Sequence, residues 1–140
     1  MKQAIIGLGS NQGNRASYLA RARDLMESQV GEIIVRSSVI ETASWGFDSY
    51  PFLNQIVIIQ TILKPLELLD QLQHIERQLG RAQKSEQIDG KSIYHDRVID
   101  IDILDYDGLH YQDERLTLPH PEIHRRDFIQ KSLQELGINL

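Results

Sequence analysis

The sequence contains no cysteine, and aromatic residues make up only 6% of its 140 residues. The absence of cysteine excludes disulfides, thiolate metal ligands and a cysteine nucleophile, and it is typical of a reducing compartment. The chain also lacks an apolar run long enough to cross a membrane, and no basic segment followed by an apolar one comes after Met1. We therefore expect a cytoplasmic protein without a membrane partner.

Basic residues are fewer than acidic ones. Fifteen Lys and Arg stand against twenty Asp and Glu, which gives a formal net charge of −5. Such a surface does not attract nucleic acid as a whole, so any phosphate site must be local. The length and the 41% of hydrophobic residues predict a single domain, residues 1–140, with one core. We expect a monomer, because the sequence indicates no large exposed apolar patch.

Two acids interrupt an isoleucine-rich segment that runs from Asp96 to Leu104. Because side chains alternate along a strand, Asp100 and Asp102 point to one face while the isoleucines at 99, 101 and 103 point to the other. Two carboxylates without cysteine or paired histidine nearby favour Mg²⁺, which often shares its ligand shell with substrate phosphates. An amphipathic strand whose acids simply face water is the alternative, and this pattern alone leaves it open.

Hydrophobic periodicity predicts the order strand, helix, strand, strand, helix, strand. The predicted elements are Lys2–Leu8, a helix over Arg15–Gln29 capped by Asn14, Glu32–Thr42, Phe52–Leu63, a helix from Pro65 to Gly80, and the two-aspartate strand. This order indicates an α+β, ferredoxin-like two-layer sandwich with a βαββαβ core and an antiparallel sheet. We expect the first and fourth of these strands to lie side by side in the middle of the sheet.

The remaining segments are predicted to add a C-terminal hairpin and a helix. Asp107-Gly108 is typical of a hairpin turn, here into a short strand at Leu109–Tyr111, and the last helix is expected over Ile129–Leu136. The segment from Arg81 to Asp96 lacks periodicity and is predicted to be a long mobile loop, either an active-site lid or a disordered insertion.

Two single residues call for an explanation. Glu76 lies inside the apolar stripe of the second helix, between Leu72 and Leu79, so its carboxylate needs a partner or reaches water beyond the stripe. His120 lies between two prolines, which hold its backbone in place. Taken alone, this position favours a structural or surface role, because histidine is a common surface residue.

Short motifs spread in order over nearly the whole chain form a specific set. They are Gly9-Ser10-Asn11, Phe52-Leu53-Asn54, Glu76 with Gly80-Arg81, Arg97, Asp100-Ile101-Asp102, Leu116-Thr117-Leu118-Pro119-His120-Pro121, Arg126 and Phe128. The set resembles the 6-hydroxymethyl-7,8-dihydropterin pyrophosphokinase family. The resemblance implies an ATP-dependent diphosphotransferase that moves pyrophosphate from ATP to the hydroxymethyl dihydropterin in tetrahydrofolate biosynthesis, giving AMP and the pterin diphosphate.

The resemblance also implies a role for individual residues. Asp100 and Asp102 are expected to bind two Mg²⁺ ions that bridge the phosphates of ATP and the substrate hydroxyl, and Arg81 and Arg97 complete the catalytic set. The expected pterin-binding residues are Thr42, Phe52, Asn54 and Phe128. The expected ATP-binding residues are Gln73, Glu76, Lys84, Arg115, Thr117, His120 and Arg126.

Some features depart from the family's pattern. Gln83 stands where many members have an arginine, the loop before Arg97 is several residues longer, and Ala43-Ser44-Trp45 replaces a proline-rich step after Thr42.

Two other functions stay open at this point. One is an RNA-recognition module of the same topology, which would stack bases on aromatic residues of its central strands. The other is a pterin sensor that no longer turns over ATP.

Overall fold

The computed structural model describes residues 1–43, 51–80 and 98–140, together with the backbone of two short strands between residues 86 and 93. The strands are β1 (Lys2–Ser10), β2 (Glu32–Arg36), β3 (Ile40–Thr42), β4 (Phe52–Thr61), β5 (Glu86–Ile88), β6 (Lys91–Ile93), β7 (Asp100–Tyr106), β8 (Tyr111–Gln112) and β9 (Thr117–Leu118). The helices are α1 (Arg15–Gln29), α2 (Pro65–Gln78) and α3 (Asp127–Glu135). Within these described ranges, each helix is too short or too polar to span a membrane.

The main sheet has the strand order β2-β4-β1-β7, with β3 also paired to β4, and the pairs are antiparallel. This confirms the predicted α+β, ferredoxin-like class. The predicted sheet order was wrong in one respect, because β1 and β4 occupy the middle and the aspartate strand β7 lies at the edge beside β1. The two helical crossovers explain the order. Helix α1 joins the parallel strands β1 and β2, and β4 pairs between them; helix α2 joins the parallel strands β4 and β7, and β1 pairs between them.

The two faces of the sheet are covered differently. One face packs on α1 and α2 through buried residues such as Ile6 on β1 and Leu72 on α2. On the other face, Ile5, Ile56 and Leu104 pack against Ile129 and other residues of the C-terminal segment. The predicted alternation along β7 is confirmed, because the isoleucines at 99, 101 and 103 belong to the helix-side core while Asp100 and Asp102 lie on the opposite face.

A serine divides the strand predicted over Glu32–Thr42 into β2 and β3. The backbone N–H of Ser37 donates to the Ile56 carbonyl oxygen at 2.8 Å, and its Oγ accepts from the Ile56 N–H at 2.9 Å. A side chain thus replaces part of the regular ladder, which ends β2 and lets β3 begin at Ile40.

The predicted C-terminal hairpin exists, but its position differs. Asp107 and Gly108 form the expected turn, with φ angles of 50° and 74°. The following strand is Tyr111–Gln112, not Leu109–Tyr111, and it pairs with Thr117–Leu118. The reason is Asp113, whose Oδ1 accepts from the N–H groups of Arg115 and Leu116 at 2.7 and 2.9 Å and so creates a second turn.

The segment predicted as a loop from Arg81 to Asp96 contains the antiparallel pair β5 and β6. Its other residues lie outside the described part of the chain.

We expect Gly31→Ala to destabilise the fold, because a Cβ at this position would lie 2.0 Å from the carbonyl oxygen of Gln60 on β4. The backbone must then move, at a cost of about 1–3 kcal/mol or more in the free energy of unfolding. Urea denaturation followed by circular dichroism measures the change. Gly7→Ala is the matched control, since its Cβ would meet nothing closer than a Leu104 methyl group at 3.5 Å. Equal stability of both variants would contradict the close approach of Gly31 to the carbonyl oxygen of Gln60.

Candidate active site

Two cavities meet at β7. The first has a volume of about 360 Å³ and lies on the sheet face opposite α1 and α2. The second, of about 330 Å³, lies between β7, α2 and the β8–β9 hairpin. Asp100, Asp102 and His120 line both cavities, so ligands in the two spaces would come together at these three side chains.

The first cavity collects the residues predicted to bind the pterin. Thr42 on β3, Phe52 and Asn54 on β4, and Phe128 on α3 all line it. Asn54 is buried, and its Nδ2 donates to the Ile40 carbonyl oxygen at 3.1 Å and to Thr42 Oγ1 at 2.8 Å. Because both amide hydrogens are used inside the protein, Asn54 can offer a ligand only its acceptor oxygen, Oδ1.

The second cavity collects most of the residues predicted to bind ATP. Gln73 and Glu76 come from α2, and Arg115, Thr117 and His120 come from the C-terminal segment. Arg115 Nη2 donates to Asp70 Oδ1 at 2.5 Å and to Gln73 Oε1 at 3.3 Å. These bonds tie the β8–β9 hairpin to α2 at this cavity.

The remaining predicted site residues lie elsewhere. Arg126 lines the first cavity and not the second, although it was predicted on the nucleotide side. Arg81, Lys84 and Arg97 lie outside the described residues, and so does Gln83.

Negative charge is concentrated where the cavities meet. Burial, the charge of Asp100, a hydrogen bond with Asp100 and the charge of Glu76 raise the pKa of the Asp102 carboxyl well above its usual value. The nearby guanidinium of Arg126 acts in the opposite direction and lowers this pKa. A pair of neighbouring carboxylates, one of them with a raised pKa, is an arrangement that a cation stabilises.

Asp100 and Asp102 have the chemistry of magnesium ligands. Asp100 and Asp102 supply hard oxygen ligands on one face of β7. Within the described residues, no group of three or more His, Cys, Asp or Glu side chains forms a complete metal cage. Two carboxylates beside a roomy cavity suit Mg²⁺, which keeps several waters and takes other ligands from substrate phosphates. The residues therefore fit a magnesium site that is completed by a ligand.

Glu76 has a partner within the protein. Its side chain is buried, at 5% exposure, and Oε2 accepts from the backbone N–H of Ile101 at 2.8 Å. Ile101 lies between the two aspartates on the edge strand. The bond therefore explains an acid inside an apolar stripe, and it anchors β7 to α2 between the two carboxylates.

His120 is held in one orientation. Its backbone N–H donates to the Leu104 carbonyl oxygen at 2.8 Å, and its Nδ1 accepts from the Glu122 N–H at 3.0 Å. Burial and the charge of Arg126 lower the pKa of the imidazole, which favours the neutral form. With Nδ1 accepting, the neutral ring carries its proton on Nε2 and can donate a hydrogen bond there.

The structure adds residues to the first cavity that had no predicted role. Gly9, Glu122 and Arg125 line it. Glu122 Oε1 lies 3.6 Å from Arg125 Nη1, and its Oε2 lies 3.8 Å from Arg126 Nε. Gly9 belongs to the Gly9-Ser10-Asn11 motif, so the sequence alone could have indicated that it lies at the site. No local sequence pattern indicates the same for Glu122.

Comparison with known proteins gives consistent matches. Residues 5–137 match the model of the 7,8-dihydro-6-hydroxymethylpterin-pyrophosphokinase (HPPK) family. The 2-amino-4-hydroxy-6-hydroxymethyldihydropteridine pyrophosphokinase of Porphyromonas gingivalis is 43% identical, over 98% of this chain and 92% of its own. The enzyme of the same name from Methylorubrum extorquens is 39% identical, over 100% of this chain and 85% of its own.

A solved structure supports the fold. The crystal structure of Plasmodium falciparum HPPK-DHPS matches with a TM-score of 0.74 and 16% identity, over 97% of this chain. This chain spans 40% of the length of that one. At such low identity the likeness concerns the fold alone.

Glu76→Ala should destabilise the protein, because it leaves the buried N–H of Ile101 without its acceptor. We expect a loss of about 1–3 kcal/mol in the free energy of unfolding. Glu76→Gln, which keeps an acceptor oxygen of the same reach, should lose clearly less. Urea denaturation of the three proteins measures the difference. Equal losses in the two variants would contradict the anchoring role of this bond.

Proposed function

This chain belongs to the 7,8-dihydro-6-hydroxymethylpterin-pyrophosphokinase family, and we propose from this premise that its two cavities bind the pterin and ATP on either side of Asp100 and Asp102. The protein is an ATP-dependent diphosphotransferase of folate biosynthesis, with AMP and the pterin diphosphate as products. One observation carries the proposal: both cavities share Asp100, Asp102 and His120, so two ligands meet where the acids lie.

The first cavity is proposed to hold the pterin. Phe52 and Phe128 both line it, and a flat heterocycle gains from stacking on aromatic rings. Asn54 Oδ1 would accept a hydrogen bond from a ring N–H, since its amide hydrogens already bind Ile40 and Thr42. A volume of about 360 Å³ suits a small ligand of this kind.

The second cavity is proposed to hold the nucleotide. Gln73, Glu76, Arg115 and Thr117 line it, and His120 at its junction with the first cavity would donate from Nε2 to a phosphate oxygen. Arg126 lies on the pterin side of this junction, near Asp102 and His120, so it would contact the phosphates from there. Roles for Arg81, Lys84 and Arg97 rest on the resemblance of their motifs.

Asp100 and Asp102 are proposed to hold two Mg²⁺ ions. When bound, these ions would neutralise charge on the phosphate oxygens, which is the main requirement of phosphoryl transfer. The protein's own contribution is to keep both carboxylates on one face of β7, with Glu76 fixing the strand between them.

The reaction joins two ligands held in line. The oxygen of the pterin's hydroxymethyl group bonds to the β-phosphorus of ATP, and the bond from this phosphorus to the α–β bridging oxygen breaks. AMP leaves with that oxygen, and the hydroxyl proton passes to solvent. The residues of the chain orient the two substrates and stabilise the charge of the transition state electrostatically. These two effects account for most of the rate enhancement in this class of reaction.

We further propose that residues 1–140 act as one catalytic domain, as a monomer in the cytoplasm and without a nucleic-acid partner. The net charge of −5 supports the absence of a nucleic-acid partner, and the absence of cysteine is typical of a reducing compartment. The positions that would stack bases in an RNA-recognition module carry Ile5, Gly7, Asp100 and Asp102, which disfavours that alternative.

The reaction is tested by incubating the protein with ATP, Mg²⁺ and 6-hydroxymethyl-7,8-dihydropterin and separating the nucleotides by chromatography. We expect AMP to form only when the pterin is present. Formation of ADP would indicate an ordinary kinase, and ATP binding without turnover would indicate a sensor.

The role of the acids is tested with Asp100→Asn and Asp102→Asn. Each should lower turnover roughly a thousandfold, a loss typical of removing a group that stabilises the transition state, while pterin affinity stays largely intact. Asp24→Asn, the same change at an exposed position of α1, should leave turnover unchanged. Normal rates in both site variants would remove the proposed magnesium ligands.

A further inference from the structure

Gly9 occupies the central position of a row of residues that crosses the sheet. It pairs with Asn54 on β4 and with Asp100 on β7, so the three residues face the same side of the sheet. Neighbouring strands are about 4.8 Å apart, which separates the backbones of Asn54 and Asp100 by roughly 10 Å. Gly9 itself adds no side chain to the space between them.

The fold itself does not require glycine here. Gly9 is absent from the glycines with positive φ, such as Gly13 and Gly108, so any residue can adopt its backbone conformation. A Cβ at Gly9 would lie 3.4 Å from Asn54 Oδ1 and 3.5 Å from Phe52 Cδ1, which are ordinary contact distances. By contrast, a Cβ at Gly31 would lie 2.0 Å from a backbone oxygen. Glycine within a strand is otherwise unfavourable, so position 9 needs another reason.

The same distances show what a side chain would obstruct. Asn54 Oδ1 is the one ligand-directed group of that amide, because Nδ2 donates to Ile40 and Thr42. A methyl group at position 9 would stand beside this oxygen and beside the Phe52 ring. It would narrow the space from which a ring N–H could approach the oxygen.

We infer that Gly9 is a specificity-determining residue: its missing side chain lets a flat, hydrogen-bond-donating ring lie against the β1 backbone between Asn54 and Asp100. This inference rests on the proposed function, since it concerns the same pterin cavity. It extends that function by stating the limit on the ligand, which must be flat at this edge and present an N–H to Asn54.

The test compares Gly9→Ala with the parent protein. We expect the dissociation constant for 6-hydroxymethyl-7,8-dihydropterin, measured by fluorescence titration, to rise about tenfold or more, from a lost hydrogen bond and steric exclusion. The dissociation constant for a non-hydrolysable ATP analogue should change by less than about twofold, because Gly9 does not line the second cavity. The melting temperature should be unchanged or higher, since alanine restricts the unfolded chain.

Gln3→Ala is the control on the same strand. Gln3 is exposed, pairs with Gln60 on β4 and lines neither cavity. We expect its pterin affinity to change by less than about twofold. An equal loss in both variants would indicate a general effect on β1 and would overturn the role of Gly9.

The other outcomes are also decisive. Unchanged pterin affinity in folded Gly9→Ala overturns the inference, and so does a failure of that variant to fold, because the inference holds that the fold tolerates alanine. If the parent protein itself does not bind the pterin, the proposed function is the part that fails.

Discussion

Side chains along β7 point alternately into two environments, and this alternation couples the hydrophobic core to the acidic junction of the cavities. The isoleucines at 99, 101 and 103 are almost fully buried against the helices. Their burial fixes the register of the strand, because a shift by one residue would place the acids in the core. Asp100 and Asp102 are therefore directed toward the cavities by the same packing that stabilises the fold.

The edge position of β7 makes a second restraint necessary. In the described sheet, β7 pairs with β1, and the N–H of Ile101 is satisfied by Glu76 from α2. A buried carboxylate near two others adds to the unfavourable negative potential, as the raised pKa of Asp102 shows. Holding two acids at a fixed position thus lowers the stability of the unliganded protein. Such destabilising arrangements are common at functional sites.

Local patterns were sufficient to predict most elements. Asn14 caps α1 by accepting from the Ser17 N–H at 3.1 Å, and Gly80 follows the end of α2 with a positive φ of 95°. The order of the strands was harder, because it depends on contacts between distant parts of the chain. Hydrophobic periodicity also predicted the wrong strand boundaries near Ser37 and Asp113, because a side chain replaces or redirects backbone pairing there.

The candidate site likewise has features that local sequence motifs predict and features that depend on contacts between distant residues. Among the described residues, the motifs predicted which side chains line the first and second cavities, and Arg126, predicted to bind ATP, lines the first cavity only. The predictions for Arg81, Lys84 and Arg97 concern residues outside the described part of the chain. The motifs did not predict how the side chains are oriented. The direction of the Asn54 amide depends on Ile40 and Thr42, and the partner of Glu76 lies 25 residues further along the chain. Such orientations follow from tertiary contacts that no single segment contains.

Since Asp100, Asp102 and His120 form a common wall, neither compartment can be filled without altering the electrostatic surroundings of the other. Thermodynamic linkage makes this effect reciprocal. If a ligand in one cavity changes the equilibrium affinity for a ligand in the other by some factor, the second ligand changes the affinity for the first by the same factor. For the two substrates proposed above, cooperativity would therefore arise at this shared boundary, without a distant relay through the fold.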